Sequence, residues 1–259
     1  MNLEIAHYYN EYNQQYKSQS QLARVVTEHW FKDNMYCPFC SNDRLKEFDN
    51  NYPVADFHCI HCDEEFQLKS TKTKLGKTIT DGEYNKMMDA INKNTAPNLL
   101  LLNYSPNIDY VLNLMIIPKE FILPSAIVKR NPLSENARRA GWTGCNIKVD
   151  LISDEGKILA VQDKSVISKS EVRKRVANTS FIRNIKDIDS RGWTNDILLV
   201  LSQIKQDVFQ LKDVYAYADF LKNLHPDNNT IEARIRRQLQ ILRDNGIIEF
   251  LDRGVYRKI

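Results

Sequence analysis

The chain has 259 residues, 42% of them hydrophobic and 27% charged, which excludes a disordered chain and is long enough for two domains with a true core. Its 36 Lys and Arg against 33 Asp and Glu leave a formal charge of only +3, so any nucleic-acid surface must be a local patch. No run approaches the ~18 consecutive apolar residues of a membrane span, and Met1-Asn2-Leu3-Glu4 lacks the basic and apolar regions of a secretory signal; a cytoplasmic protein is expected.

Residues 18–31 place Leu22, Val25, Val26, His29 and Trp30 at helical spacing, which predicts an amphipathic helix. A cysteine-bearing stretch at 36–62, broken by Pro38, Pro53 and several Asn, leads into a strand at 65–69. A second helix is expected after Asp81-Gly82, on Tyr84, Met87, Met88 and Ile91, while 98–104 and 111–117 are apolar runs of buried-strand length. Helices interleaved with buried strands predict a mixed α/β layer fold. Residues 168–191 are polar, rich in Lys and Arg and free of a strand pattern, which puts the domain boundary near Asn184. Three helices follow, at 193–204, 211–224 and 230–244. The last has Thr230 as N-cap, Ile231, Ile235, Leu239 and Leu242 as its apolar stripe and Gly246 beyond its end. A strand at 247–250, the turn Asp252-Arg253-Gly254 and a return strand at 255–257 complete the pattern of a winged helix.

Cysteine usage carries the strongest single motif. Cys37-Pro38-Phe39-Cys40 and Cys59-Ile60-His61-Cys62 are spaced as Cys-x2-Cys-x18-Cys-x2-Cys, within the spacer range of a zinc ribbon. Two thiolate pairs in a reducing compartment suit a closed, tetrahedral, structural Zn2+ site; the competing reading is two unrelated or redox-active pairs. His58 and His61 are expected on the knuckle surface, and Cys145 as a buried, inert thiol.

Asp56 precedes the second cysteine pair, and Gln67 and Lys69 follow it. Strand alternation puts Gln67 and Lys69 on one face, with Phe66 and Leu68 toward the core, and Asp56 can join that face across a hairpin. Cleavage of a phosphodiester needs a divalent cation, an activated water and positive charge in the transition state. Asp56 and Gln67 supply oxygen ligands suited to Mg2+, and Lys69 can position or deprotonate the attacking water. The same spacing recurs by chance, and its plain reading is a solvated strand face. Glu65, on the same face, and Glu28, on the first helix, are weaker candidates for a supplementary carboxylate.

For DNA contact, Arg234, Arg237 and Gln238 are read as lying away from the apolar stripe of the 230–244 helix, with Arg236 near its edge. A helix in the major groove reads base edges with Arg and Gln, although a solvated charged face gives the same pattern. The wing adds Arg253, Arg257 and Lys258. Arg138-Arg139-Ala140-Gly141-Trp142 joins two cations to an aromatic that either stacks on a base or packs in the core. Trp30 and Trp193, on apolar stripes, are expected in the core.

The order Pro53-Val54-Ala55-Asp56, then Gln67-Leu68-Lys69, resembles the PD-(D/E)XK nuclease superfamily, whose central strand pair carries these groups. Tyr36-Cys37-Pro38, Pro53-Val54-Ala55-Asp56-Phe57, Glu65-Phe66-Gln67-Leu68-Lys69-Ser70, Ala137-Arg138-Arg139-Ala140-Gly141-Trp142 and Arg237-Gln238-Leu239-Gln240-Ile241-Leu242-Arg243-Asp244 resemble the DpnI-type methyl-directed restriction endonucleases, over nearly the whole chain. That resemblance implies a substrate: duplex DNA carrying N6-methyladenine in 5'-GATC-3', cut in both strands. The recognition sequence follows from the resemblance alone. One departure is Gln67, an amide where the close relative has an acid; the superfamily tolerates it, but one negative charge fewer predicts weaker metal binding.

The expected protein is therefore an α/β PD-(D/E)XK catalytic domain (residues 1–183) with an inserted zinc ribbon, followed by a winged-helix domain (184–259). Its expected activity is that of a Type II methyl-directed deoxyribonuclease with catalytic Mg2+ and structural Zn2+, acting on methylated duplex DNA with no membrane or obligate protein partner. The alternative is a non-catalytic zinc-ribbon and winged-helix regulator; a third reading is an RNA-processing enzyme on the same core.

Overall fold

The computed structural model describes residues 1–49, 52 and 54–259; Pro53, the first residue of the nuclease-like motif, lies outside them. The chain opens with α1 (Ala6–Tyr12) and α2 (Gln19–Asn34). Helix α2 buries Leu22, Val26, Trp30 and Phe31 along one face, the amphipathic helix expected from its spacing. The short strands β1 (Lys46–Glu47) and β2 (Phe57–His58) lead to β3 (Glu65–Thr71) and β4 (Thr78–Glu83). Helix α3 (Tyr84–Asn92) follows at once, because the Glu83 carboxylate accepts from the N–H groups of Asn85 and Lys86 and caps it. Then come β5 (Asn98–Tyr104), β6 (Val111–Ile117), β7 (Ile127–Lys129), β8 (Gly144–Lys148), β9 (Ile158–Gln162) and β10 (Ser165–Val166).

Among the described residues the first ten strands form two sheets. The larger runs β1-β2-β3-β5-β6-β9-β10 and the smaller β4-β8-β7. Among the described residues β3 and β5 form the one parallel pair of the larger sheet. A parallel pair needs a crossover, here supplied by β4 and α3. All of β5 is buried, so its apolar run shows no alternation: Leu100 and Leu102 face the core under α2, and Leu99 and Leu101 the core under α3.

Residues 168–191, read as polar and free of a strand pattern, hold α4 (Lys169–Asn178) and α5 (Ser180–Asn184). Helix α4 is capped by Ser168 but buries only Val172 and Val176, too narrow a stripe for periodicity to reveal. Helix α6 (Ile188–Gln203) starts five residues before Trp193, where Asp187 accepts from the Ser190 N–H. After β11 (Val208–Gln210), the helix expected at 211–224 is two, α7 (Leu211–Tyr215) and α8 (Ala218–Leu224). Helix α9 (Ile231–Asp244) and the hairpin β12 (Ile248–Asp252) and β13 (Val255–Lys258) close the chain, with β11 added to give the order β11-β13-β12.

Helix α6 is buried from Arg191 to Leu201. One apolar cluster runs from Leu99 and Leu101 through Phe121, Trp193 and Ile197 to Leu239, Leu242 and Ile248, so the sheet and the C-terminal helices share a core across α6. Among the described residues no helix is long and apolar enough to cross a membrane.

Candidate functional site

The two cysteine pairs meet where α2 ends and the β2–β3 hairpin turns. Their four Sγ atoms lie within 4.8 Å of one another, with Cys37 to Cys62 at 3.6 Å and Cys40 to Cys59 at 3.5 Å. A tetrahedral zinc with Zn–S bonds of about 2.3 Å sets S···S separations at about 3.8 Å, so the cluster can hold a metal such as zinc. Burial opposes ionisation of Cys59, but donation from the Asn42 side chain and from the His61 and Cys62 N–H groups outweighs it and holds that thiol down at about 6. Arg173 of α4 donates to the carbonyls of Cys37 and Asn42 at 3.1 and 3.0 Å, and buried Glu64 accepts from Asn98 at 2.8 Å and pairs with Arg183 at 3.1 Å. These long-range braces on the knuckle leave no local trace in the sequence.

Beside the knuckle, the Asp56 N–H donates to the Phe66 carbonyl at 2.9 Å, and its Oδ2 accepts from the Leu68 N–H at 2.8 Å. That second bond aims the carboxylate along β3, toward the face of Gln67 and Lys69. The three line one cleft of about 350 Å3 together with Arg24, Thr27 and Glu28 of α2. Thr27 donates to Ser70 at 3.1 Å and ties α2 to β3, while Arg24 and Glu28 pair at 2.6 Å. Glu28 thus reaches the cleft; Glu65 does not line it and accepts instead from the Tyr52 hydroxyl at 3.1 Å.

Burial pushes the Asp56 carboxyl up, against the pull of the Leu68 N–H, Lys69 and Arg24. Burial raises Glu28 too, Arg24 pulls it down, and the neighbouring Asp56 adds to the rise. Two half-buried carboxyls facing one cleft, one of them raised by the other, make a place where a cation would be favoured. The Lys69 ammonium lies 2.5 Å from an oxygen of Asp81, whose side chain is 1% exposed. From sequence, Asp81 read only as the residue before a helix.

In the connection between β7 and β8, Arg138 and Arg139 are exposed and Trp142 is partly buried. The Arg139 guanidinium sits 4.9 Å from the Trp142 ring centre. The ring edge lies on Gly144, where a Cβ would stand 2.9 and 3.0 Å from two ring atoms. Gly141, at φ +77, turns the chain so that its N–H and the Trp142 carbonyl both bond to Leu133.

Helix α9 corrects one expected DNA contact. Gln238 is fully buried and accepts from the Thr194 hydroxyl of α6 at 2.8 Å; it lies three residues after Ile235 and four before Leu242, hence on the apolar stripe. Gln240 is the exposed glutamine, beside Arg236 and Arg237. Arg236 donates to the Tyr215 hydroxyl, and Arg234 is partly buried, paired with Asp189 at 2.9 Å and lying over Trp193. Arg253 is exposed at the hairpin turn, completed by Gly254 at φ +71. Arg257 pairs with Glu249 at 3.3 Å, and the Lys258 ammonium donates inward to the Ile204 carbonyl, which removes Lys258 from the outward set. Trp30 and Trp193 are fully buried, as expected.

Compared with known families, residues 1–185 match the DpnI model, described as the Dam-replacing family, and residues 189–258 match the DpnI C-terminal model, described as the Dam-replacing HTH domain.

Proposed function

The chain belongs to the Dam-replacing family, the DpnI-type methyl-directed restriction enzymes, and from that premise we propose that it cuts both strands of duplex DNA at 5'-GATC-3' sites carrying N6-methyladenine, with Mg2+ as catalytic ion. Family membership itself gives methylation-dependent restriction of DNA by a chain with a helix-turn-helix domain. The observation that carries the cutting centre is the meeting of Asp56, Gln67 and Lys69 in one cleft, the arrangement of a PD-(D/E)XK nuclease. The cutting unit is residues 1–183 with a zinc-stapled hairpin, the reader is a winged helix of 184–259, and the protein works in the cytoplasm.

The donor set fits a hard divalent ion: an Asp56 carboxylate with one oxygen not committed to Leu68, the Gln67 amide, and Glu28 close enough to restore the charge that Gln67 lacks. Such an ion, when bound, offsets charge building on the scissile phosphate. Asp56 is held rigid by the Leu68 N–H, so its free oxygen stays on the cleft side. Lys69 donates to the attacking water and orients it in line with the phosphate. Arg24, mostly exposed at the cleft edge, can leave Glu28 to meet the DNA backbone.

Exposed Arg138, Arg139, Arg236, Arg237 and Arg253 hold the duplex, with Arg234 bracing α9. The test is a digest of methylated and unmethylated plasmid with Mg2+: discrete fragments are expected from the methylated DNA alone. No nicking of any DNA with any divalent ion would leave only a DNA-binding regulator.

An N6-methyl group is a small signal, worth about 0.8 kcal/mol when buried, under tenfold in affinity. Two readers in succession multiply modest preferences, so the C-terminal unit and the Trp142 loop each inspect the methyl group in this reading. Trp142→Ala is then expected to lower the methylated-to-unmethylated ratio of cleavage rates by about three- to tenfold, leaving the preference of the C-terminal unit. An unchanged ratio would assign all reading to α9.

A further inference from the structure

We propose that Asp81 is the positioning residue of Lys69, a buried carboxylate that fixes the ammonium at the back of the cleft. The proposal rests on the reading of Lys69 as catalytic given above. Strand β4 leaves β3 to found the smaller sheet, and in its register Asp81 stands opposite Cys145, beside the Ile79–Ile147 pair. Those neighbours are apolar: Cys145 and Ile147 are wholly buried. A carboxylate in such a place costs stability unless a cation pairs with it. The ion-pair partner among the described residues is Lys69, at 2.5 Å. Among the described residues no other donor reaches either carboxylate oxygen.

The arrangement matters because of what lysine is. Its ammonium rides on a flexible stem with freely rotating donors, and its side chain here retains 28% exposure, so nothing in β3 alone would hold Nζ over the reacting atoms. Asp56 lies on the preceding hairpin and Asp81 on the following strand, with Lys69 between. The carboxylate at the back holds the ammonium by charge at one place, while the Lys69 side chain still lines the cleft. Placement of this kind decides rate, since misplacing a catalytic group by about 1 Å can cost about a hundredfold.

The test uses the full-length protein with Lys69→Ala, Asp81→Asn and the double variant. Three quantities are measured: single-turnover cleavage of saturating methylated duplex with Mg2+, affinity for that duplex without metal, and thermal midpoint. Asp81→Asn is expected to lower the single-turnover rate about ten- to a hundredfold with DNA affinity unchanged. Lys69→Ala should lower the thermal midpoint by stranding the carboxylate, and adding Asp81→Asn should recover it. A merely structural Asp81 would instead lower midpoint and affinity together, with additive effects in the double variant. If Asp81→Asn cuts at the wild-type rate while Lys69→Ala is inactive, the positioning role fails and the catalytic reading stands. If Lys69→Ala itself cuts normally, both fall.

Discussion

Lys69→Ala is expected to slow cleavage by about a thousandfold or more while DNA affinity stays within about twofold of the wild type. The two effects separate because the groups that hold the duplex in this reading, Arg138, Arg139, Arg236, Arg237 and Arg253, are exposed and do not line the cleft that contains Lys69. Losing one donor to the attacking water removes an interaction made only as the bond breaks, so the deficit belongs in the rate at saturation and not in the concentration of enzyme needed to reach it. Electrophoretic binding and single-turnover cleavage on the same duplex check both halves. A variant that loses binding and cleavage in parallel would place Lys69 among the DNA-holding groups, and a fully active one would dismiss it from the centre.

The second large effect is expected from the cysteines. Cys59 and Cys62 lie between Asp56 and Gln67 in the chain, and the β2–β3 register pairs Phe57 with Phe66 and His58 with Glu65. A zinc held there staples the two strands that carry the candidate ligands, and links them to the end of α2 through Cys37 and Cys40. Structural zinc binding is worth about 10 kcal/mol or more, comparable to the whole stability of a domain. Cys59→Ser, or removal of zinc by a chelator, should therefore lower the thermal midpoint and abolish cleavage together, and excess Mg2+ should restore neither. Metal analysis is expected to find about one zinc per chain. Full activity in zinc-free protein would dismiss the staple.

Much of this architecture was legible in residue order. The apolar runs at 98–104 and 111–117 are strands β5 and β6 to the residue, because strands buried on both faces leave an uninterrupted signal. The cysteine spacing foretold a cluster that the geometry brings to within ligand distance, since local turns fix such knuckles. Glu28 and Asp81 were harder. Glu28, a weaker candidate from sequence, reaches the cleft by the docking of α2 on β3, and Asp81 meets Lys69 by the return of β4; both placements come from tertiary packing. Gln238 was misread for another reason. Its polarity suggested an outward face, yet its place three residues after Ile235 put it on the buried stripe, where Thr194 satisfies its carbonyl; periodicity outranked residue type.

Helix α6, buried along most of its length in the apolar cluster it shares with α9 and the sheet, bears on how such a chain can diversify. Exchange of one half of a chain for another needs a seam that crosses little packing. A seam before Ile188 would strip cover from Phe121 and Ile182, and one after Gln203 would bare Leu239 and Leu242, all members of the same apolar cluster. Either chimera would begin life with an exposed oily scar prone to aggregation. Changes on this scaffold are therefore better tolerated at its exposed positions, such as those of α9 and of the loop around Trp142, than at any seam through α6.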